Sequence, residues 1–150
     1  MADKIQKNID VRNKKAGFEY AFLENFSAGM VLTGTEIKSI RQGKFNFLDS
    51  YCLFLGEELF VRSLNISIYN EGTYNNHVPT RDRKLLLKKR ELKKLASKLT
   101  DKGLTIVPTR LFINEKGYAK LDIALAKGKK LYDKRETIKE RDVQRERERE

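Results

Sequence analysis

The chain has 150 residues, with 32 lysines and arginines against 21 aspartates and glutamates, for a formal net charge of +11. That length suits one domain around one core, and a 39% hydrophobic content set in periodic runs argues against wholesale disorder despite 35% charged residues. The single cysteine excludes an internal disulfide, the polar start MADKIQKNID lacks an export signal's apolar stretch, and no run reaches the roughly 20 apolar residues of a membrane span, so a folded cytoplasmic protein is expected.

Residues 1–12 read as a loose polar lead-in. From Phe18 the alternation of Phe18, Tyr20 and Phe22 with Glu19, Ala21 and Leu23 has the period of a strand, and SAGMVLT (27–33) predicts a second one opened by a glycine. Gly34 and Thr35 lead into a short helix over 36–42, closed by Gly43, which turns Ile37 and Ile40 inward and leaves Lys38 and Arg41 outside. YCLFL and ELFVRS flank a Gly56-Glu57 turn and predict a hairpin, followed by the extended run NISIY. Within the hairpin, Cys52 reads as a small buried thiol.

The stretch 70–83, with Gly72, His77 and Pro79, reads as an exposed loop. Leu92, Leu95 and Leu99 recur at helical spacing among lysines, which predicts an amphipathic helix that stops before Gly103. LTIVPTRLFI, a turn at 114–117 and YAKLDIALA form a last hairpin. About six strands in turn-linked runs, with two or three short helices and no regular alternation of the two, predict an antiparallel barrel or sandwich.

That body spans 1–126, and the remaining residues, KGKKLYDKRETIKERDVQRERERE (127–150), hold almost nothing that could enter a core. They read as a charged arm that acts outside the fold. A helix from Lys134 onward would gather Lys134, Ile138, Arg141, Arg145 and Arg149 on one side, with Glu136, Glu140, Glu146 and Glu150 largely opposite. Like charges four residues apart oppose that helix in isolation, so the free arm is expected to be disordered and to fold on binding.

Catalytic chemistry finds little support. His77 has no nucleophile beside it in the sequence, one histidine and one cysteine cannot make a zinc set, and Gly29 and Gly34 are followed by Thr35-Glu36 where a phosphate-binding loop needs Lys-Ser or Lys-Thr. No catalytic residue, metal or cofactor is expected. Basic clusters stand out instead: Asn13 with Lys14 and Lys15; Lys38, Arg41 and Lys44; Arg81, Arg83 and Lys84; and Lys127, Lys129 and Lys130. On a strongly basic body such clusters suit phosphate.

NKKAGFEYAFLENFSAGMVLTGTEIKSIRQGKFNFLDSY, HVPTRDRKLLLKKREL, GLTIVPTRLF and LAKGKKLYDKRETIKERD, in this order, resemble the SsrA-binding protein (small protein B) family of bacteria over nearly the whole chain. The segments GTEIKSIRQGK, RKLLLKKRE and GKKLYDKR carry most of the specificity. The resemblance implies an oligonucleotide-binding (OB-type) barrel with accessory helices. It also implies a monomer when free that binds the tRNA-like part of transfer-messenger RNA, packs near its elbow in place of the missing anticodon arm, and brings it to stalled ribosomes. The arm would enter the empty mRNA channel below the decoding centre.

By position, Asn13, Lys14, Lys15, Lys38, Arg41 and Lys44 match the family's basic motifs, Glu36 matches a residue that could be structural, and Gly128, Lys129, Lys130, Tyr132, Asp133, Lys134 and Arg135 match the segment leading into the tail. Ser27 departs from the family, which often carries an acidic residue there. A structural ribosomal or general RNA-binding protein is the alternative, and enrichment on ribosomes with truncated messages separates the two.

Overall fold

The structure is a computed structural model and describes residues 9–69, 76–100 and 103–129. In chain order the elements are β1 (Asp10–Arg12), α1 (Lys14–Glu19), β2 (Tyr20–Met30), α2 (Gly34–Arg41), β3 (Phe45–Asn46), β4 (Tyr51–Leu55), β5 (Glu58–Arg62), β6 (Asn65–Ile66), β7 (Arg83–Leu86), α3 (Lys89–Lys98), β8 (Leu104–Ile113) and β9 (Ala119–Gly128). The main sheet runs β1-β8-β4-β5-β7-β2-β9, and β9 pairs back onto β8. Six antiparallel strands therefore close into a ring, with β1 added to one side of β8. Closure removes the free edges that an open sheet would expose.

Period-two alternation fills the interior. In β9, Leu121 and Ile123 are fully buried, and so are Leu59 and Val61 of β5 and Ile106 and Leu111 of β8. The β4–β5 hairpin turns through Gly56 at φ +66, a left-handed conformation that suits glycine. α3 contributes Leu95, 0% exposed, with Leu92 and Leu99 packed against the same core. Burying one such leucine stabilises the fold by about 1.5–3 kcal/mol. Ile40 of α2 is buried as well, with Ile37 partly buried beside it. Cys52 is buried in the core, and burial pushes its thiol pKa up, so it is an inert packing residue.

Five local readings change. Part of the lead-in is ordered, because Asp10–Arg12 pairs with Phe112–Arg110 and the Asp10 carboxylate accepts from Arg110 Nε and Nη2 at 2.6 and 2.8 Å. The residues around Phe18 are helical: the Asn13 side chain accepts from Ala16 N–H at 3.2 Å and caps α1 before the strand starts at Tyr20. What reads as two strands is one, β2, with an irregularity between Phe22 and Glu24 that lets it follow β9. Finally, Arg83–Leu86 is a strand and not the end of a loop, paired with β5 and β2. β9 also runs to Gly128, so Lys127 and Gly128 belong to the sheet.

Candidate nucleic-acid interface

The first basic cluster is built by a cap. Asn13 is 9% exposed; its Nδ2 donates to Pro108 O at 2.8 Å while its Oδ1 receives Ala16 N–H. Asn13 is thus a scaffold residue, and the lysines after it, Lys14 and Lys15, are left exposed. Lys15 Nζ lies 2.5 Å from Asp49 Oδ1, a surface pair of small net worth. The end of β9 comes to the same place: Lys129 N donates to Glu19 O at 2.9 Å and its Nζ to Gly17 O at 3.3 Å. Lys127 stands exposed two residues earlier, paired in register with Ala21. Lys14, Lys15, Lys127 and Lys129 therefore gather where α1 meets the last strand.

The second cluster follows from α2. Thr33 accepts from Glu36 N–H and Glu36 Oε1 accepts from Thr33 N–H, a reciprocal cap that fixes the start of the helix. With Ile40 turned inward, Lys38 is exposed and its ammonium sits 5.4 Å from the centre of the Tyr69 ring. Arg41 is half-buried and its Nη2 donates to Gly117 O at 3.4 Å in the β8–β9 turn. Lys44 follows the left-handed Gly43 and is exposed.

The third cluster divides. Arg83 is fully buried, so it is not a surface residue: its Nε donates to Glu36 Oε2 and its guanidinium also reaches the carbonyls of Leu64 at 2.6 Å and Pro79 at 2.9 Å. The reason is strand alternation, since Arg83 and Leu85 of β7 face inward together while Lys84 and Leu86 do not. Arg81 joins the same acid, Nη2 to Glu36 Oε1 at 2.7 Å. Lys84 stays on the outside and pairs with Glu58 at 3.0 Å. Glu36 is 0% exposed; burial works against its charge, but hydrogen bonds from Arg81, the Thr33 N–H and Arg83 prevail and hold its pKa at about 2. Burial in turn pulls the Arg83 pKa down against the pull of Glu36.

His77 belongs to this interior too. Ile66 O can only accept, so His77 Nε2 donates to it at 2.8 Å, and Nδ1 meets the Thr35 hydroxyl at 2.9 Å. The ring thereby ties the loop to α2. Among the described residues no group of His, Cys, Asp and Glu is arranged to hold a metal. Ser27 is exposed on β2, opposite Asp122 of β9, whose carboxylate lies 3.4 Å from Arg110.

A further basic surface escapes a reading by clusters. Lys89, Arg90 and Lys93 are exposed on α3, away from Leu95. Helical spacing against the leucines is the signal that finds them. Lys130 and the tail residues Tyr132, Asp133, Lys134, Arg135, Ile138, Arg141, Arg145 and Arg149 lie outside the described residues.

A family model described as SmpB protein matches residues 10–150. An SsrA-binding protein of Flavobacterium psychrophilum is 60% identical, with 93% of each chain covered, and one of Cytophaga hutchinsonii is 59% identical over 95% of this chain and 93% of its own. A solved chain from "tmRNA-SmpB: a journey to the center of the bacterial ribosome" superposes with a TM-score of 0.69 at 46% identity, covering 81% of this chain and 85% of that one. Family match, close relatives and shared barrel agree, and the chain belongs to the SmpB family of SsrA-binding proteins.

Proposed function

We propose that this protein binds the tRNA-like part of transfer-messenger RNA and delivers it to ribosomes stalled without a usable codon, where trans-translation tags the unfinished peptide. The observation that carries this reading is the gathering of Lys14, Lys15, Lys127 and Lys129 on one end of a closed barrel. Relatives of this chain are named SsrA-binding proteins, and its structural neighbour comes from work on tmRNA-SmpB and the bacterial ribosome.

The work is binding and positioning, with no bond chemistry. Lysines at the α1–β9 end, with Lys38 and Lys44 of the α2 region, neutralise phosphates and orient the RNA, and the folded shape supplies selectivity. The arm after Lys127 supplies the second site, entering the mRNA channel with Arg141, Arg145 and Arg149 toward ribosomal RNA. Among the described residues no helix is long and apolar enough to cross a membrane.

Crosslinking followed by sequencing of the bound RNA tests the reading. Recovery of transfer-messenger RNA, and enrichment of the protein on ribosomes carrying truncated messages, is the expected result. Equal association with every ribosome would favour a structural ribosomal protein. Stopping the chain after Tyr132 should keep RNA binding and abolish tagging; loss of both together would place the arm in the RNA site.

A further inference from the structure

Lysines on this surface are held in two different ways. Lys15 pairs with Asp49 at 2.5 Å and Lys84 with Glu58 at 3.0 Å, and a carboxylate that holds a lysine also offsets its charge. The Lys38 ammonium instead lies 5.4 Å from the centre of the Tyr69 ring. An aromatic face attracts a cation but carries no net charge, so the ring holds Lys38 with its full charge left for a phosphate.

That ring is itself fixed. Tyr69 is buried, and Asn76 brackets its backbone: Asn76 Oδ1 accepts from Tyr69 N–H at 3.2 Å while Asn76 Nδ2 donates to Tyr69 O at 2.7 Å. The next residue, His77, links Ile66 O at 2.8 Å to the Thr35 hydroxyl at 2.9 Å, and Thr35 lies in the first turn of the helix that carries Lys38. Ser67 N–H donates to Lys44 O at 3.0 Å, just past the other end of that helix. The segment bearing Tyr69 is therefore tied to α2 at its start and beyond its end, which sets the ring relative to Lys38. A lysine stem surrenders rotamer freedom when its head is pinned to a phosphate, and a head already resting on a fixed ring surrenders less.

We propose that Tyr69 is a positioning residue for RNA binding: its ring holds the Lys38 ammonium where a phosphate of the bound RNA meets it. The proposal rests on the RNA-binding reading above and adds the means by which one of its phosphate contacts is preset.

A double-mutant cycle in the full chain, with the tRNA-like RNA, tests it. Tyr69→Leu should weaken binding about two- to fivefold, the worth of one exposed cation–π contact, and Tyr69→Phe, which keeps the ring face, should lose clearly less. In a Lys38→Ala background Tyr69→Leu should cost nothing further. An equal loss from Tyr69→Leu with and without Lys38 would overturn the proposal, since the ring would then serve only the fold. The proton spectrum of the free wild-type protein gives a readout that needs no variant: the ring should shift the Lys38 ε-methylene protons upfield, and ordinary lysine shifts would overturn the proposal even where Tyr69→Leu fails to fold. Unchanged affinity of Lys38→Ala, with Lys14→Ala/Lys15→Ala still weakening binding, would overturn it and leave the RNA reading intact. If the wild-type chain fails to bind the RNA, both readings fall.

Discussion

Arg81 and Arg83 look, along the chain, much like Lys14 and Lys15: short basic pairs beside turn residues. In the fold they end in opposite places. Arg83 is wholly buried on Glu36, with Arg81 on the other carboxylate oxygen, whereas Lys14 and Lys15 stand in solvent on a short helix. A buried acid converts cations into structure, and where no such acid exists the cations remain available for phosphate. Basic clusters in a sequence are therefore candidates of two kinds, and strand alternation with an inward-facing acid separates them.

The sharpest way to break this contrast is to delete one partner of the buried pair. Arg83→Ala leaves the buried Glu36 to Arg81 alone and strands the carbonyls of Leu64 and Pro79, and should cost about 3–5 kcal/mol, read by urea unfolding. Replacing Lys14 and Lys15 by alanine should leave unfolding within about 0.5 kcal/mol of wild type. If Arg83→Ala unfolds like wild type but binds RNA poorly, the arginine is a ligand contact and the contrast fails.

Acid gives the next largest effect. Glu36 sits at about 2 when folded against an ordinary 4.5, a depressed pKa, so its contribution is full above about 4.5 and fades as pH falls through 2. The shift corresponds to about 3 kcal/mol. Asp82, held low by its hydrogen bonds to Arg62, and Asp10, held low by Arg110, act in the same direction. Unfolding free energy measured from pH 6 down to pH 2 should fall steeply, and Glu36→Gln should start lower and fall less. Parallel curves would remove Glu36 as the cause.

On the exposed side the response is in affinity and salt. Lys14→Ala/Lys15→Ala should weaken binding to the tRNA-like RNA and make the dependence of log K on log salt shallower by about 1.5, the share of two phosphate contacts on a single-strand to duplex coefficient. An unchanged slope would mean that these lysines do not meet phosphate. Lys38→Ala should be the mildest: its ammonium lies over Tyr69, so a small loss of stability of about 0.5–1 kcal/mol accompanies weaker binding.

Several elements are legible from residue spacing alone. Leu92, Leu95 and Leu99 mark α3, the Gly56-Glu57 turn marks the β4–β5 hairpin, and Ile37 with Ile40 sets which side of α2 carries Lys38. In each case the signal is local, a period or a turn residue that acts within a few positions. α1 and β7 escape such a reading. Six residues capped by Asn13 give too short a period to compete with the alternation that follows, and RKLL looks basic until its neighbours are known.

The sequence by itself determined the class of this protein: a basic chain with strand and helix periods, and motifs specific enough to indicate the family. Only the tertiary structure decided which cations are free. That choice depends on pairings far apart in the chain, Glu36 with Arg83, Asn13 with Pro108 and Lys129 with Gly17, which close only when the barrel does. A charged side chain carries its charge everywhere, but whether it faces a buried carboxylate or the solvent is set by contacts across tens of residues, and no local spacing encodes them.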